Sequence, residues 1–318
     1  METMKVNSIK QRYKSNRAWK RFKSSIPLTI MAIPALVLMF LFKYLPMAGT
    51  VLAFKKFSVQ KGIFGSEFIG LKNFEFLFKS ADALIITRNT LGYNIAFIIL
   101  DLAAAICMAI ALNELLNKRR AKLLQTVFMA PYFMSWVVVS FIAFALFSSD
   151  DGLLNHLLNN FGIESINWYS EKKYWPFILV LFASWKTAGY STVMYLGTLV
   201  SIPNDYYEAA IMDGATKWQQ IKYITLPCLK IMMIVLTTLA IGRIFYSDFG
   251  LFYQLPRNSG PLFDTTNVID TYVYRGLKET SNIGMSAAAN LYQSVIGFIC
   301  IFVSNLAVRK IDKESALF

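Results

Sequence analysis

Six apolar stretches, near residues 26–46, 90–112, 123–147, 176–200, 229–247 and 286–308, set the terms for this chain. Each is close to the roughly 20 residues that carry an α-helix across a bilayer. In lipid a backbone must satisfy its own N–H and C=O groups, so each stretch is committed to helix. Of 318 residues, 56% are hydrophobic and only 16% charged, which is too apolar for an ordinary soluble domain. The sequence predicts an all-α, polytopic membrane protein with six transmembrane helices. One domain, 26–308, lies between a basic tail at 1–25 and a short tail at 309–318.

The formal net charge is +13. In a soluble protein that excess would suggest nucleic acid; here its placement points to the membrane. Lys5, Lys10, Arg12, Lys14, Arg17, Lys20, Arg21 and Lys23 precede the first span, against Glu2 alone. Lys118, Arg119, Arg120 and Lys122 follow the second span, and Arg309, Lys310 and Lys313 follow the last. With six spans these segments share one side, and basic residues collect on the cytoplasmic side. Both termini are predicted to be cytoplasmic. The first outer loop weakens the pattern, because it also carries Lys55, Lys56, Lys61, Lys72, Lys79 and Arg88. The run from Ile26 is longer than a signal-peptide core and has no clear small-x-small cleavage site after it, so it reads as an uncleaved span. Cys107, Cys228 and Cys300 offer neither a disulfide framework nor metal spacing, and His156 is the single histidine. The pattern argues against a His-based metal centre or catalytic triad, and no cofactor is expected in the chain.

Three outer loops are expected. In the first, about 47–89, the segment FIGLKNFEFLF has roughly helical apolar spacing and reads as a surface helix or a packed cap. In the second, about 148–175, Asp150-Asp151-Gly152 reads as a turn that starts a short helix and lacks the calcium-loop pattern. The third, about 248–285, is rich in turn residues such as Pro256, Gly260 and Pro261 and could contact an external partner. No internal duplication is visible, unlike many secondary transporters.

Charge at bilayer depth is costly and often marks function. Asp101 and Lys186 fall near the middles of the second and fourth spans, where they could pair as a helix-orienting ion pair or form a hydrophilic wall of a path. Lys43 and Arg243 lie near outer ends, where long side chains reach water. Trp136, Trp185, Tyr190, Tyr195, Tyr246, Asn290, Tyr292 and Gln293 accumulate in the later spans. Sugars stack on aromatic faces and hydrogen-bond to amides; the same aromatics also suit membrane interfaces. The candidate path residues are Asp101, Trp136, Lys186, Tyr190 and Asn290.

Between the fourth and fifth spans lies SIPNDYYEAAIMDGATKWQQIKYITLPCLK, residues 201–230. Asn204 or Asp205 can cap a helix, Gly214 suits the left-handed residue at a helix end, and Thr216 with Gln219 fits a capping box. Pro227 is expected to close a second short helix. A helix with small side chains (Ala209, Ala210, Ala215) and acids (Asp205, Glu208, Asp213) is a docking shape for a basic protein surface, whereas a lipid-lying helix would carry a basic face.

Glu208, Ala209, Ala210, Gly214, Ile224, Leu226 and Pro227 together resemble the EAA signature of the inner-membrane permeases of binding-protein-dependent ATP-binding-cassette (ABC) importers. Asp213-Gly214-Ala215 resembles the carbohydrate branch. GLKNFEFLF (70–78), NTL (89–91), PYFMSWVVVS (131–140), WKTAGY (185–190) and NVIDTYVYRGL (267–277) extend the likeness over nearly the whole chain, to LplB-type polysaccharide permeases, a group similar to the maltose-transporter membrane subunits. One departure is Ile231, where many sugar permeases carry a second proline. The resemblance implies a type I importer fold in a bacterial cell membrane and identifies loop 201–228 as a coupling helix docked on a cytoplasmic ATPase, with Glu208 meeting a basic residue there. It implies a second, non-identical permease, an ATPase dimer, an extracytoplasmic solute-binding protein and a carbohydrate substrate, with an oligosaccharide favoured. The chain has no phosphate-loop motif, so ATP and Mg belong to the partner. A permease for another solute, an ATP-independent secondary transporter and a membrane-embedded enzyme remain as alternatives.

Overall fold

The computed structural model describes residues 27, 29–115 and 117–311. The basic tail expected at 1–25, and residues 312–318 of the tail expected at 309–318, lie outside the described residues. The chain runs through Thr29–Phe54 (α1), Ala83–Glu114 (α2), Lys118–Phe133 (α3) and Trp136–Phe147 (α4). Next come Leu153–Asn160 (α5), Trp175–Val200 (α6) and Asn204–Met212 (α7). Lys217–Ile241 (α8), Ile269–Thr280 (α9) and Ile283–Ile311 (α10) complete the order. Among the described residues five helices are long and apolar enough to cross a membrane, or six when α3 and α4 count as one bent span.

The third span is the main departure from the sequence expectation of one helix over 123–147. α3 and α4 meet at 98° across Met134 and Ser135. The cause is local. Pro131 has no N–H to give an α-helical ladder, and residues Ala130–Phe133 tighten into a 3-10 turn. Ser135 then turns extended and its hydroxyl accepts the Val138 N–H at 3.3 Å, which starts a new helix.

Pro227 has the opposite outcome. It was expected to end a helix, yet α8 continues through it. Residues Ile221–Thr225 form a π turn in which Leu226 N–H bonds Ile221 C=O, and this widening accommodates a proline in the next turn. The helix then ends at Ile241, short of the expected 247. The freed carbonyls of Ile244 and Tyr246 are taken by the Asn94 amide of α2 at 2.9 and 3.0 Å.

Packing rather than hydrophobic burial holds spans together in lipid, so small residues mark the contacts. Ala105 and Ala109 of α2 lie against Tyr195 and Leu199 of α6 and Leu229 of α8. A second core joins α4 (Val139, Ala143, Phe147), α6 (Trp175, Leu179, Phe182) and the connection after α8 (Leu251, Phe252, Leu255, Leu262). That connection is therefore not a free excursion: much of it is buried in the bundle. Asn89 of α2 donates to the carbonyls of Asp264 and Asn267 at 3.0 Å, and Tyr93 to that of Thr265 at 2.7 Å, which pins it further.

FIGLKNFEFLF is not one surface helix. Its Phe68 ends the hairpin strand Glu67–Phe68 (β2, paired with β1, Lys55–Lys56), and a turn at left-handed Gly70, a 3-10 turn and one α turn follow. Asp150-Asp151-Gly152 does precede a short helix, α5, although Gly152 is its N-cap and no aspartate side chain caps it. α1 differs from every other span. Its apolar window has no buried residue, and only its last turns, Ala48–Phe54, pack on α10. A helix apolar all round suits a membrane span that faces lipid or another span.

Candidate functional site

Three residues, Ser201 to Pro203, separate the end of α6 from α7. Neither Asn204 nor Asp205 caps α7: the N-cap is Pro203, and Asp205 lies in the first turn, where its charge favours the positive helix end. The C-terminus follows the glycine expectation closely. Gly214 has φ +77°. Its N–H bonds Ile211 C=O at 3.0 Å and Ala215 N–H bonds Ala210 C=O at 2.9 Å, the paired bonds of a Schellman motif. Thr216 opens α8 with the expected capping box: its hydroxyl accepts the Gln219 N–H at 3.3 Å, and its own N–H donates to Gln219 Oε1 at 2.7 Å.

The result is a self-contained elbow whose first helix has no buried residue. Glu208, Ala209, Asp213, Gly214 and Pro227 are exposed, whereas Ala210, Ala215, Ile224 and Leu226 are half-buried. Large apolar side chains stand out beside the acids, with Met212 87% and Trp218 71% exposed. Two links hold the elbow to the bundle: Tyr207 Oη lies 3.0 Å from Thr225 Oγ1, and Lys217 Nζ lies 2.9 Å from Glu114 at the end of α2. The Glu114 link was missed from sequence because nothing local pairs two residues so far apart.

The second polar cluster surrounds the bend between α3 and α4. Lys186, only 8% exposed, donates to the carbonyls of Pro131 at 3.2 Å, Tyr132 at 2.7 Å and Met134 at 2.6 Å. These belong to the last turn of α3 and the link beyond it, where a broken helix leaves carbonyls without partners. The ammonium also lies 5.4 Å from the Trp136 ring and 5.7 Å from the Tyr132 ring, within cation–π range. Trp136 Nε1 donates to Asp248 at 2.6 Å, and Tyr132 stacks on Tyr190 at 4.5 Å between centroids.

Asp101 does not pair with Lys186. Its carboxylate accepts from Thr187 Oγ1 at 3.0 Å and Ser191 Oγ at 2.6 Å, both on α6. Similar depth was not enough: Lys186 turns to the bend, whereas Thr187 and Ser191 meet α2. Trp136, Lys186 and Tyr190 are thus brought together, with Tyr132 and Asp248 as members that sequence reasoning missed. Asn290 stands apart on α10, exposed, its carbonyl accepting the Ser294 hydroxyl at 2.7 Å. Among the described residues no group of three His, Cys, Asp or Glu could hold a metal ion.

A bundle of apolar spans with an exposed capped elbow and polar side chains at its bend defines a membrane permease. Residues 102–313 match the family described as binding-protein-dependent transport system inner membrane component, and the chain belongs to that family. It is a membrane subunit of an ABC transporter and not an enzyme. An importer permease of this kind works with an ATPase and a solute-binding protein. Among its relatives is the polygalacturonan/rhamnogalacturonan transport system permease protein YteP of Bacillus subtilis (strain 168), 33% identical over 287 residues, covering 90% of this chain and 89% of YteP. Protein LplB of the same organism is 33% identical over 287 residues, covering 90% of each chain. A chain in the crystal structure of a bacterial alginate ABC transporter, in complex with an alginate pentasaccharide-bound periplasmic protein, superposes with a TM-score of 0.83. It is 28% identical and covers 93% of this chain and 98% of that one.

Proposed function

We propose that this chain is one of two non-identical permeases of a bacterial importer for a carbohydrate, an oligosaccharide rather than a monosaccharide. The solute arrives on an extracytoplasmic binding protein, and an ATPase dimer on the cytoplasmic side supplies the energy. The observation that carries the reading is the elbow at 201–216: α7 with no buried residue, ended by the Gly214 motif and turned into the Thr216-capped start of α8, presenting acids and large apolar side chains. Such a surface is complementary to a cleft with a basic rim, and Glu208 is placed to meet a cation there. Ala209, Ala210 and Ala215 allow close approach, and Asp213-Gly214 sets the angle. Ile224, Leu226 and Pro227 lie further along, within the first turns of α8. With the elbow facing the cytoplasm and six spans, both termini are cytoplasmic.

The path reading draws on the stacked rings of Tyr132 and Tyr190 and on the nearby Trp136, aromatic faces of the kind that suit sugars, with Asp101 as an acceptor on the α2 side and Asn290 as a separate candidate on α10. Lys186, also a path candidate from the sequence, is buried against backbone carbonyls instead. The substrate class is favoured by the names of the relatives YteP and LplB and of the alginate transporter.

The test is co-purification of the tagged chain in mild detergent, followed by mass spectrometry and an ATPase assay. Recovery of an ATPase, a second permease and a binding protein is the expected result, and the ligands of that binding protein identify the sugar. A chain that moves solute in vesicles without any ATPase would replace this reading with a secondary transporter.

A further inference from the structure

We propose that Lys186 is a positioning residue through which α6 carries movement of the 201–216 elbow into the bent third span. The proposal rests on the reading of that elbow as the ATPase-docking element. α6 is unbroken from Trp175 to Val200 and reaches α7 within three residues. The 14 residue steps from Lys186 to Val200 span about 21 Å of helix, a length that transmits a displacement rather than absorbing it.

At its other end this rod is fastened to both halves of the bend. The ammonium holds the Pro131 and Tyr132 carbonyls of α3 and the Met134 carbonyl of the link, and it lies beneath the ring of Trp136, the first residue of α4. One turn further along α6, Gly189 touches α3 directly: a Cβ there would lie 1.9 Å from the Phe128 carbonyl oxygen. Trp136 extends the chain of contacts to Asp248, and it also fills the space where a Cβ on Gly250 would lie. Movement of α6 is therefore shared by the end of α3, the start of α4 and the 248–250 segment, a contiguous network of the kind that couples distant sites. Burial closes Lys186 to solute. Its charge acts on backbone carbonyls, which at membrane depth have no water to replace it.

The test uses the complete complex in lipid nanodiscs, with Cys107, Cys228 and Cys300 replaced. Val127→Cys and Phe141→Cys, both at exposed positions on either side of the bend, carry spin labels for a distance measurement. Lys186→Met is expected to broaden the 127–141 distance distribution and to lower solute moved per ATP about tenfold, with the KM for solute unchanged. Lys186→Arg keeps the charge and is expected to restore a narrow distribution and most of the coupling. Coupling that does not follow the width of the distribution in both variants overturns the proposal. So does a change confined to KM, which would make Lys186 a solute contact. If Lys186→Met fails to assemble, Lys186→Arg decides alone by the same criterion. Glu208→Lys separates the underlying reading: normal ATPase association and coupling in that variant would sink the docking role of the elbow, while the distances still report whether Lys186 holds the bend.

Discussion

The chain interrupts a helix at two places and closes the wound differently at each. At 213–216 the free backbone groups are satisfied within six residues, by Gly214, Ala215, Thr216 and Gln219, and the elbow stands in the open. At the 134–135 bend the carbonyls of Pro131, Tyr132 and Met134 are satisfied by a buried lysine more than fifty positions away. A locally closed break can move as a piece because its bonds travel with it. A break closed from a distance ties its two halves to a third element. The first design suits a handle offered to another protein; the second suits an internal joint.

Substitutions can break or sharpen this contrast. The largest effect is expected at the internal joint: Gly189→Val, whose side chain would overlap the Phe128 carbonyl, should destabilise the permease by about 3 kcal/mol, read as a lower thermal midpoint in detergent. A midpoint equal to that of the native chain would mean that α3 and α6 are not in backbone contact. At the elbow, Gly214→Ala forces a side chain into the left-handed region at a cost of about 1 kcal/mol, felt as weaker ATPase association with an unchanged midpoint. Thr216→Ala removes a cap worth about 1 kcal/mol, and hydrogen exchange at 217–220 should quicken while the bend stays protected. Equal acceleration at both places would erase the distinction between local and distant closure. Glu114→Gln breaks an ion pair that is largely exposed on the lysine side, so less than about 1 kcal/mol is at stake, and high salt should mimic it.

The smallest effect is one of pH, at Asp270 beside the 242–247 turn. Burial pushes its carboxyl above the ordinary range, opposed by bonds from the Ser247 N–H and the Gln293 amide. The folded chain holds that proton more tightly than the unfolded chain. Its contribution is fully present below the unfolded pKa and is lost as pH rises through the raised folded value. Asp270→Asn keeps an acceptor oxygen and should flatten the thermal midpoint over that window; an unchanged slope would place Asp270 in water.

The same contrast explains what could be read from the sequence. Spans, the left-handed Gly214 and the Thr216–Gln219 box depend on neighbours, so composition and spacing reveal them. Pro227 was misread because a π turn five residues earlier can absorb a proline, and no residue type announces such a turn. The third span hid its bend for a related reason: Pro131 marked the place, but a twelve-residue run from Trp136, apolar except for Ser140, made the stretch look continuous. Asp101 and Lys186 share a depth in the sequence, yet helix rotation decides partners, and rotation is set by packing around Ala105, Ala109 and Gly189.

The π turn that lets α8 run through Pro227 has a mechanical consequence. A 25-residue helix is a rod of about 38 Å, with the elbow at one tip and Gly242 just past the other. Gly242 is pressed against α10, its carbonyl 2.5 Å from where a Cβ of Gly297 would lie and the Ile301 side chain filling the space where its own Cβ would be, so the far tip has a close-packed fulcrum. About that fulcrum, a swing of about 6° displaces the elbow by about 4 Å, given the rise of an α-helix. A hinge at Pro227 would dissipate such a stroke near the surface. An unbroken lever delivers it to the glycine pivot at the opposite end of the span, at the cost of requiring both glycines to remain bare.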